Sequence, residues 1–206
     1  MIANQRQFGA LAFAATIILV PSDRLALGQD RIPPELVTIQ AALGREQQNL
    51  IDDYVTHWTD TLENEADEQV VEARDQLTEP LGLGATDHFL NAYSRAIGGR
   101  LGDAVRADRL VSRLNAMIVA SRIRKDENVI GLIVKGLDDE SPALRYWAAK
   151  AVRKAAQAPG IAPKPAIQMK LLDQLEVLLQ KEQSAVVLEQ VFLAMVGVPH
   201  GAAVEK

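Results

Sequence analysis

The sequence contains no cysteine among its 206 residues, and only 4% of its residues are aromatic. The absence of cysteine excludes disulfide scaffolds, thiolate metal sites and cysteine nucleophiles. Neither sign of charge dominates, because 22 lysines and arginines stand against 27 aspartates and glutamates. This mildly acidic balance argues against a general nucleic-acid-binding protein. Hydrophobic residues make up 48% of the chain, which is enough for the core of one globular domain.

Long apolar runs are also scarce, and the one that stands out is residues 8–20 (FGALAFAATIILV). It is shorter than the roughly 20 residues that a transmembrane helix needs. A polar start with Arg6 precedes it, and Ala26 and Gly28 follow it, which is the order of a secretory signal peptide. We therefore predict cleavage after Gly28 and a mature bacterial protein that is periplasmic or secreted. The alternatives are an N-terminal anchor and a core helix.

After this segment, apolar residues recur at helical spacing, and the alternation typical of strands is almost absent. The sequence therefore predicts an all-α protein. The first predicted helix begins at Pro33-Pro34-Glu35 and ends at Gly44. Another begins at Thr86 and ends at Gly98-Gly99. The longest begins at Asp103 and passes Ser121. Further predicted boundaries are a helix start at Ser141-Pro142, a linker over Pro159 to Pro165 and a final helix end at Gly197.

One segment, residues 137–152 (LDDESPALRYWAAKAV), has a distinctive order of residue types. A leucine and an acidic turn come first, then Pro142, then the aliphatic–arginine pair Leu144-Arg145. Small residues follow at Ala148 and Ala151, where they allow two helix backbones to approach closely. Asp139 and Arg145 are placed to bond from turn to helix. Residues 127–156 resemble a HEAT repeat, a pair of antiparallel helices in a unit of roughly 40–47 residues.

The resemblance implies a short HEAT-like helical repeat array, an α-solenoid, with an irregular helical N-terminal half. Weaker copies of the pattern fall 43 residues later and 75 residues earlier in the chain. An irregular helical bundle is the competing architecture. The expected organisation is a signal peptide (1–28), an acidic helical N-terminal region (29–85), HEAT-like repeats (86–199) and a short tail (200–206).

Charge is unevenly distributed along the chain. Residues 52–79 contain ten acidic residues and one arginine, whereas residues 95–125 contain eight basic and two acidic residues. Within the basic stretch, the spacing of Arg106, Arg109 and Arg113 places them on one face of the predicted helix. These arginines are candidates for holding an acidic protein segment or anionic lipid. The alternative is that acidic and basic faces neutralise each other across packed helices.

A second candidate binding feature is the pair Tyr146 and Trp147, with Lys150 one helical turn further on. The two aromatic residues flank the predicted buried stripe of their helix, among several cations. Aromatic residues and cations of this kind often anchor protein interfaces. The alternative is that Trp147 packs against the neighbouring repeat.

Candidate catalytic residues are few. The three histidines, His57, His88 and His200, lie in separate stretches of the chain. Asp53, His57 and Asp60 share a helix face, but one helix offers too few ligands for a strong metal site. A phosphate-binding glycine loop and a nucleophile motif are both missing. We therefore predict no enzymatic activity, no cofactor and no metal.

These features favour an exported, non-enzymatic adaptor or scaffold that binds another protein, expected in the cell envelope, through its helical surface. A second hypothesis is a periplasmic protein that binds a lipid or another small ligand, which an apolar cavity would favour. A third is an enzyme subunit, which a cluster of Asp, Glu and His assembled by folding would favour. The oligomeric state stays open.

Overall fold

The computed structural model describes residues 31–82, 84–123, 127–157 and 165–197. Within these residues the protein has nine α-helices, a short 3₁₀ helix and no β-strand. The all-α prediction is confirmed. The predicted signal peptide (1–28), most of the predicted linker and the tail (200–206) lie outside the described residues.

The helices follow one another closely along the chain. Their bounds are α1 Pro34–Val37, α2 Arg45–Asn64, α3 Asp67–Thr78, α4 Asp87–Ala104, α5 Leu110–Arg122, α6 Glu127–Leu137, α7 Pro142–Gln157, α8 Pro165–Lys181 and α9 Ala185–Gly197. The 3₁₀ helix, Glu79–Gly82, follows α3 directly.

From α2 onwards, the helices pack in consecutive pairs: α2 with α3, α4 with α5, α6 with α7, and α8 with α9. Helices α2, α4, α6 and α8 also contact one another in series and form a first row. Helices α3, α5, α7 and α9 do the same and form a second row. Each inner helix is therefore covered on several sides, whereas the first and last helices of each row have one side without a neighbour from their own row.

The hydrophobic core lies between the two rows. In α2 the buried residues Ile51, Tyr54, Trp58 and Leu62 recur every three or four residues, which is the helical spacing on which the all-α prediction rests. Helix α3 buries a stripe of Val70, Ala73 and Leu77 in the same way. Helices of this length gain most of their stability from such packing.

The first predicted helix is much shorter than expected. It was predicted to run to Gly44, but α1 ends at Val37. The reason is tertiary, because Thr86 at the start of α4 uses the carbonyls that a longer helix would need. The Thr86 amide donates to the Val37 carbonyl (3.1 Å), and the Thr86 hydroxyl donates to the Ile39 carbonyl (2.6 Å).

The predicted boundary between α4 and α5 is also wrong. Helix α4 begins after Thr86 as predicted, but it continues through Gly98 and Gly99 to Ala104. The buried residues Ile97, Leu101 and Ala104 extend its apolar stripe past the glycines, and this packing outweighs their low helix propensity. The predicted long helix from Asp103 does not form, since residues 105–109 turn the chain before α5 begins.

Candidate functional site

The three candidate arginines do not share one helix face, so that prediction is wrong. Arg106 and Arg109 lie in the turn before α5, and only Arg113 lies within the helix. Each of the three side chains forms an ion pair within the chain. Arg106 pairs with Asp103 and Arg109 with Asp67, while Arg113 lies 3.3 Å from Glu140 Oε1 and 3.9 Å from Asp139 Oδ1.

The Arg109 contact joins the acidic stretch of the chain to the basic one. Its guanidinium also donates to the backbone carbonyl of Glu65, so it connects the start of α5 to the turn between α2 and α3. A second link lies nearby, where Arg74 of α3 donates to the Asn115 side chain of α5 (3.1 Å). At this boundary the two stretches partly neutralise each other, which is the alternative that the charge pattern left open.

An open cleft of about 510 Å³ lies beside Arg106 and Arg109. Besides these two arginines, the acidic side chains of Glu63, Asp103 and Asp108 line it. Its mixed charge and its exposure to solvent differ from the enclosed, largely apolar pockets that hold lipids and small ligands.

The structure brings Tyr146, Trp147 and Lys150 together on α7. The two ring centroids are 5.7 Å apart, with the ring planes at 87°, which is an edge-to-face arrangement. Lys150 Nζ lies 4.2 Å from the Trp147 centroid and 5.6 Å from the Tyr146 centroid. These distances are within the range of cation–π attraction. Both rings are half-buried and pack partly against the core, so packing and binding can share the same side chains.

The surroundings of this cluster are strongly basic. Partial burial lowers the pKa of Lys154, and the neighbouring cations Arg122, Lys150 and Arg153 lower it further. Such a shift means that the positive charge on Lys154 is disfavoured where it stands. An anion placed among these four cations would relieve their mutual repulsion.

Arg145, the arginine of the Leu144-Arg145 pair, has a structural role. Its guanidinium forms a two-pronged ion pair with Glu182, with Nε–Oε2 at 2.6 Å and Nη2–Oε1 at 3.0 Å. Its remaining nitrogen, Nη1, donates to the backbone carbonyls of Asp139 and Glu140, both at 2.8 Å. The predicted bond from Arg145 to the turn is therefore formed, through the backbone of Asp139. The Asp139 carboxylate instead accepts from the Ser141 amide (2.8 Å) at the start of α7.

The Glu182 side chain is only 1% exposed and fully occupied by donors. Besides Arg145, the backbone amides of Gln183 and Ser184 donate to Oε1 at 3.0 and 2.9 Å. The hydrogen bond from Arg145 is the main cause that lowers the pKa of Glu182 to about 2. Sequence reasoning missed Glu182, because a separation of 37 residues carries no local signal. The pair fastens the turn between α8 and α9 to the start of α7.

Two buried tyrosines are also used by the fold. The Tyr54 hydroxyl donates to the Gln76 carbonyl (2.6 Å), and the Tyr93 hydroxyl donates to the Leu77 carbonyl (2.9 Å). Burial raises the pKa of both phenols above the ordinary value of 10.0. They stay neutral and hold the end of α3.

Within the described residues, no group of three or more His, Asp or Glu side chains is arranged to hold a metal ion. The ring of His57 packs with its centroid 4.7 Å from that of Trp58. His88 is exposed near the start of α4, and His200 lies outside the described residues. The described helices also include none that is long and apolar enough to cross a membrane.

The outer side of α9 is a feature that sequence reasoning missed. Besides the buried stripe of Val187, Val191 and Ala194, α9 exposes several large apolar side chains to solvent: Val186, Phe192, Leu193 and Val196. The signal was present in the sequence, because nearly every position of α9 is apolar, whereas one buried stripe needs only three or four in two turns.

Comparison with known proteins does not assign this chain: no family model, no curated protein and no solved structure matches it.

Proposed function

We propose that this protein is a non-enzymatic protein–protein interaction scaffold that binds an acidic segment of a partner through Tyr146, Trp147 and Lys150. The observation that carries this proposal is the position of Lys150 Nζ over both rings, next to a group of cations in which the positive charge of Lys154 is disfavoured. The rings offer apolar contact area, and the cations offer charge-assisted hydrogen bonds to carboxylates. Such a surface favours a partner that presents acidic residues next to an apolar one.

We further propose that the helix pairs form a HEAT-like α-solenoid. Three observations support it: the two rows of helices packed in series, the Arg145 bonds to the turn before α7, and the close approach of α6 to its neighbours. A Cβ added at Gly136 would collide with Met117 and lie 3.0 Å from the Ala148 Cβ. Ala148, a small residue of the motif, thus lies where α6 and α7 meet, and arrays of helix pairs offer extended surfaces for binding.

The candidate arginines Arg106, Arg109 and Arg113 are weaker binding candidates than the α7 cluster. Each already has a carboxylate partner within the chain, and a ligand would have to displace it. The ion pairs of Arg106 and Arg109 are exposed, so breaking them costs little, but their replacement by another carboxylate also gains little. The Arg113 side chain is only 18% exposed, which leaves a ligand little access to it.

We also propose that the protein is exported to the periplasm or secreted. This part of the proposal is based only on the signal-peptide pattern of residues 1–28. Amino-terminal sequencing of the protein purified from its host tests it. A mature chain beginning at Gln29 supports export, and an intact Met1 on the exported protein contradicts the proposed cleavage.

The binding surface can be tested by titrating the full chain with a poly-glutamate peptide and with neutral and anionic lipid vesicles. We expect peptide binding that weakens as salt is raised, and at least a tenfold loss of affinity in Lys150→Glu. Lys170→Glu is the matched control, because it makes the same charge change at an exposed position on α8. Equal losses in the two variants would contradict the proposal, and binding to anionic vesicles alone would redirect it to lipid.

Trp147→Ala separates binding from packing. Loss of peptide binding with an unchanged melting temperature supports an anchoring role for the indole. A lower melting temperature with unchanged binding shows that Trp147 only packs against its neighbours.

A further inference from the structure

The second row of helices ends in α9, whose outward side is apolar. Its inward residues are buried: Val187, Gln190, Val191 and Ala194. On the opposite side, the exposed fractions are 83% for Val196, 60% for Val186, 55% for Phe192 and 40% for Leu193. We call this side the α9 outer face; it consists of Ala185, Val186, Glu189, Phe192, Leu193 and Val196. Glu189 is its only charged residue.

The other end of the same row shows what a solvated terminal helix looks like. Helix α3 exposes Glu68, Glu72 and Asp75, and the exposed Glu79 directly follows the helix. These four residues recur at intervals of four, three and four residues. Ala185, Glu189, Phe192 and Val196 of α9 follow the same intervals, with three apolar residues in place of carboxylates. Terminal units of helical arrays need a polar outer side to remain soluble. Helix α3 meets this requirement and α9 does not. We therefore expect another polypeptide to pack on the outer side of α9.

The size of the α9 outer face fits a protein interface. Its exposed apolar side chains amount to an area on the order of 400 Å². A standard interface buries about 800 Å² on each partner, of which somewhat more than half is apolar. The face can therefore supply most of the apolar area that a stable pair of proteins needs.

We propose that the α9 outer face binds the same face of a second copy of this chain, around a two-fold axis, with the two α9 helices antiparallel. Head-to-tail stacking would instead press α9, with its own Glu189, against Glu68, Glu72, Asp75 and Glu79 of another copy. That contact would bury five carboxylates, whereas the two-fold arrangement brings two to the interface, one Glu189 from each copy, and burying carboxylates is costly. In the antiparallel arrangement, Val186 of one copy lies opposite Val196 of the other. Glu189 lies opposite Phe192 and Leu193, so the two Glu189 carboxylates are not brought face to face.

The oligomeric state of the full-length protein tests this proposal. We expect sedimentation equilibrium at micromolar concentrations to give twice the mass of one chain. Phe192→Glu should raise the dimer dissociation constant at least tenfold, because it replaces the only aromatic side chain of the face with a second carboxylate beside Glu189. Val71→Glu is the matched control, since it makes the same change at an exposed valine of α3 and should leave the dimer unchanged.

A second measurement does not depend on an added charge. Because the chain has no cysteine, a single one can be introduced and joined to its copy with a short bis-maleimide. We expect cross-linked dimer from Glu189→Cys and none from Glu72→Cys, which has the equivalent position on α3. A monomer at tens of micromolar, or a dimer that survives Phe192→Glu and cross-links equally in both variants, overturns the proposal. The monomer result would leave a different protein as the occupant of the face. The test does not use the α7 cluster, so it succeeds or fails independently of the proposed function.

Discussion

Helices α3 and α9 begin and end the same row, yet they meet solvent in opposite ways. The outward residues of α3 are mostly acidic, with Val71 as its one exposed large apolar side chain, and those of α9 are almost all apolar. Inward, both helices follow the same rule of an apolar stripe on the core. The buried apolar stripe is therefore common to both helices. The residues on the outer side decide whether the first or last helix of a row can stay exposed to water.

The two ends are also fastened differently. The end of α3 is held by hydrogen bonds from the buried hydroxyls of Tyr54 and Tyr93. The α8–α9 pair is held by the packing of α9 on α7 and of α8 on α6, and by the buried ion pair of Arg145 with Glu182. Uncharged hydroxyls are inexpensive to bury, whereas a buried ion pair is stable only while both partners are present. Variants at the two ends should therefore differ in their effect on stability.

The largest effect is expected at the α9 end. Arg145→Met leaves the Glu182 carboxylate buried without its cation, and we expect a loss of about 3–5 kcal/mol in the free energy of unfolding, measured with urea. The double variant Arg145→Met, Glu182→Met should recover much of this loss, because no unpaired charge remains. A single-variant loss below about 1 kcal/mol would show that water reaches Glu182.

The same pair predicts a pH dependence. The pKa of Glu182 is about 2 in the folded protein, against an ordinary value of 4.5. A lowered carboxyl pKa stabilises the folded state above pH 4.5, and this contribution is lost as the pH falls towards 2. The difference in stability between the wild type and Glu182→Gln should therefore shrink across that interval. A constant difference down to pH 2 would contradict the ionised state of Glu182.

An intermediate effect is expected at the α3 end. Tyr93→Phe removes the hydroxyl that donates to the Leu77 carbonyl, and we expect a loss of about 1–2 kcal/mol from the bond and the unsatisfied carbonyl. Tyr146→Phe, at a half-buried position on α7, is the control and should change stability by less than about 0.5 kcal/mol. Equal losses in the two variants would show that the hydrogen bond from Tyr93 to the Leu77 carbonyl does not contribute to the free energy of unfolding.

The smallest effect is expected from the exposed ion pair at the start of α3. The Arg109 side chain is 41% exposed and that of Asp67 73%, so Arg109→Ala should cost about 0.5 kcal/mol or less. The loss should diminish as salt is raised, because exposed charges are screened. A loss that exceeds about 2 kcal/mol at high salt would mean that Arg109 stabilises the turn through its backbone bond to Glu65.

Local features of the chain were predictable. The buried stripes of α2 and α3 follow from helical spacing, because a helix packed on one side needs one apolar face. The contact of Lys150 with Tyr146 and Trp147 follows from intervals of three and four residues, which are neighbours on any helix. The start of α7 at Pro142 and the bond from Arg145 to the turn before it follow from the motif.

The wrong predictions concern choices that depend on distant residues. The chain turns at residues 105–109 although local propensity allows a continuous helix, and α1 ends early because Thr86 occupies its carbonyls. Arg109 and Asp67 are neutralised by each other across 42 residues. No local pattern indicates which carboxylate an arginine will find.

The sequence by itself determined the all-α class, the inward stripes of α2 and α3 and the aromatic–cation cluster on α7, because these depend on the period of the helix. Tertiary structure decided where α4 ends, which charges are paired and that Glu182 is buried, because these depend on which helices become neighbours. It also decided that the apolar outer face of α9 has no neighbour among the described helices. A row of stacked helices must end somewhere, and only the packing shows which helix is last.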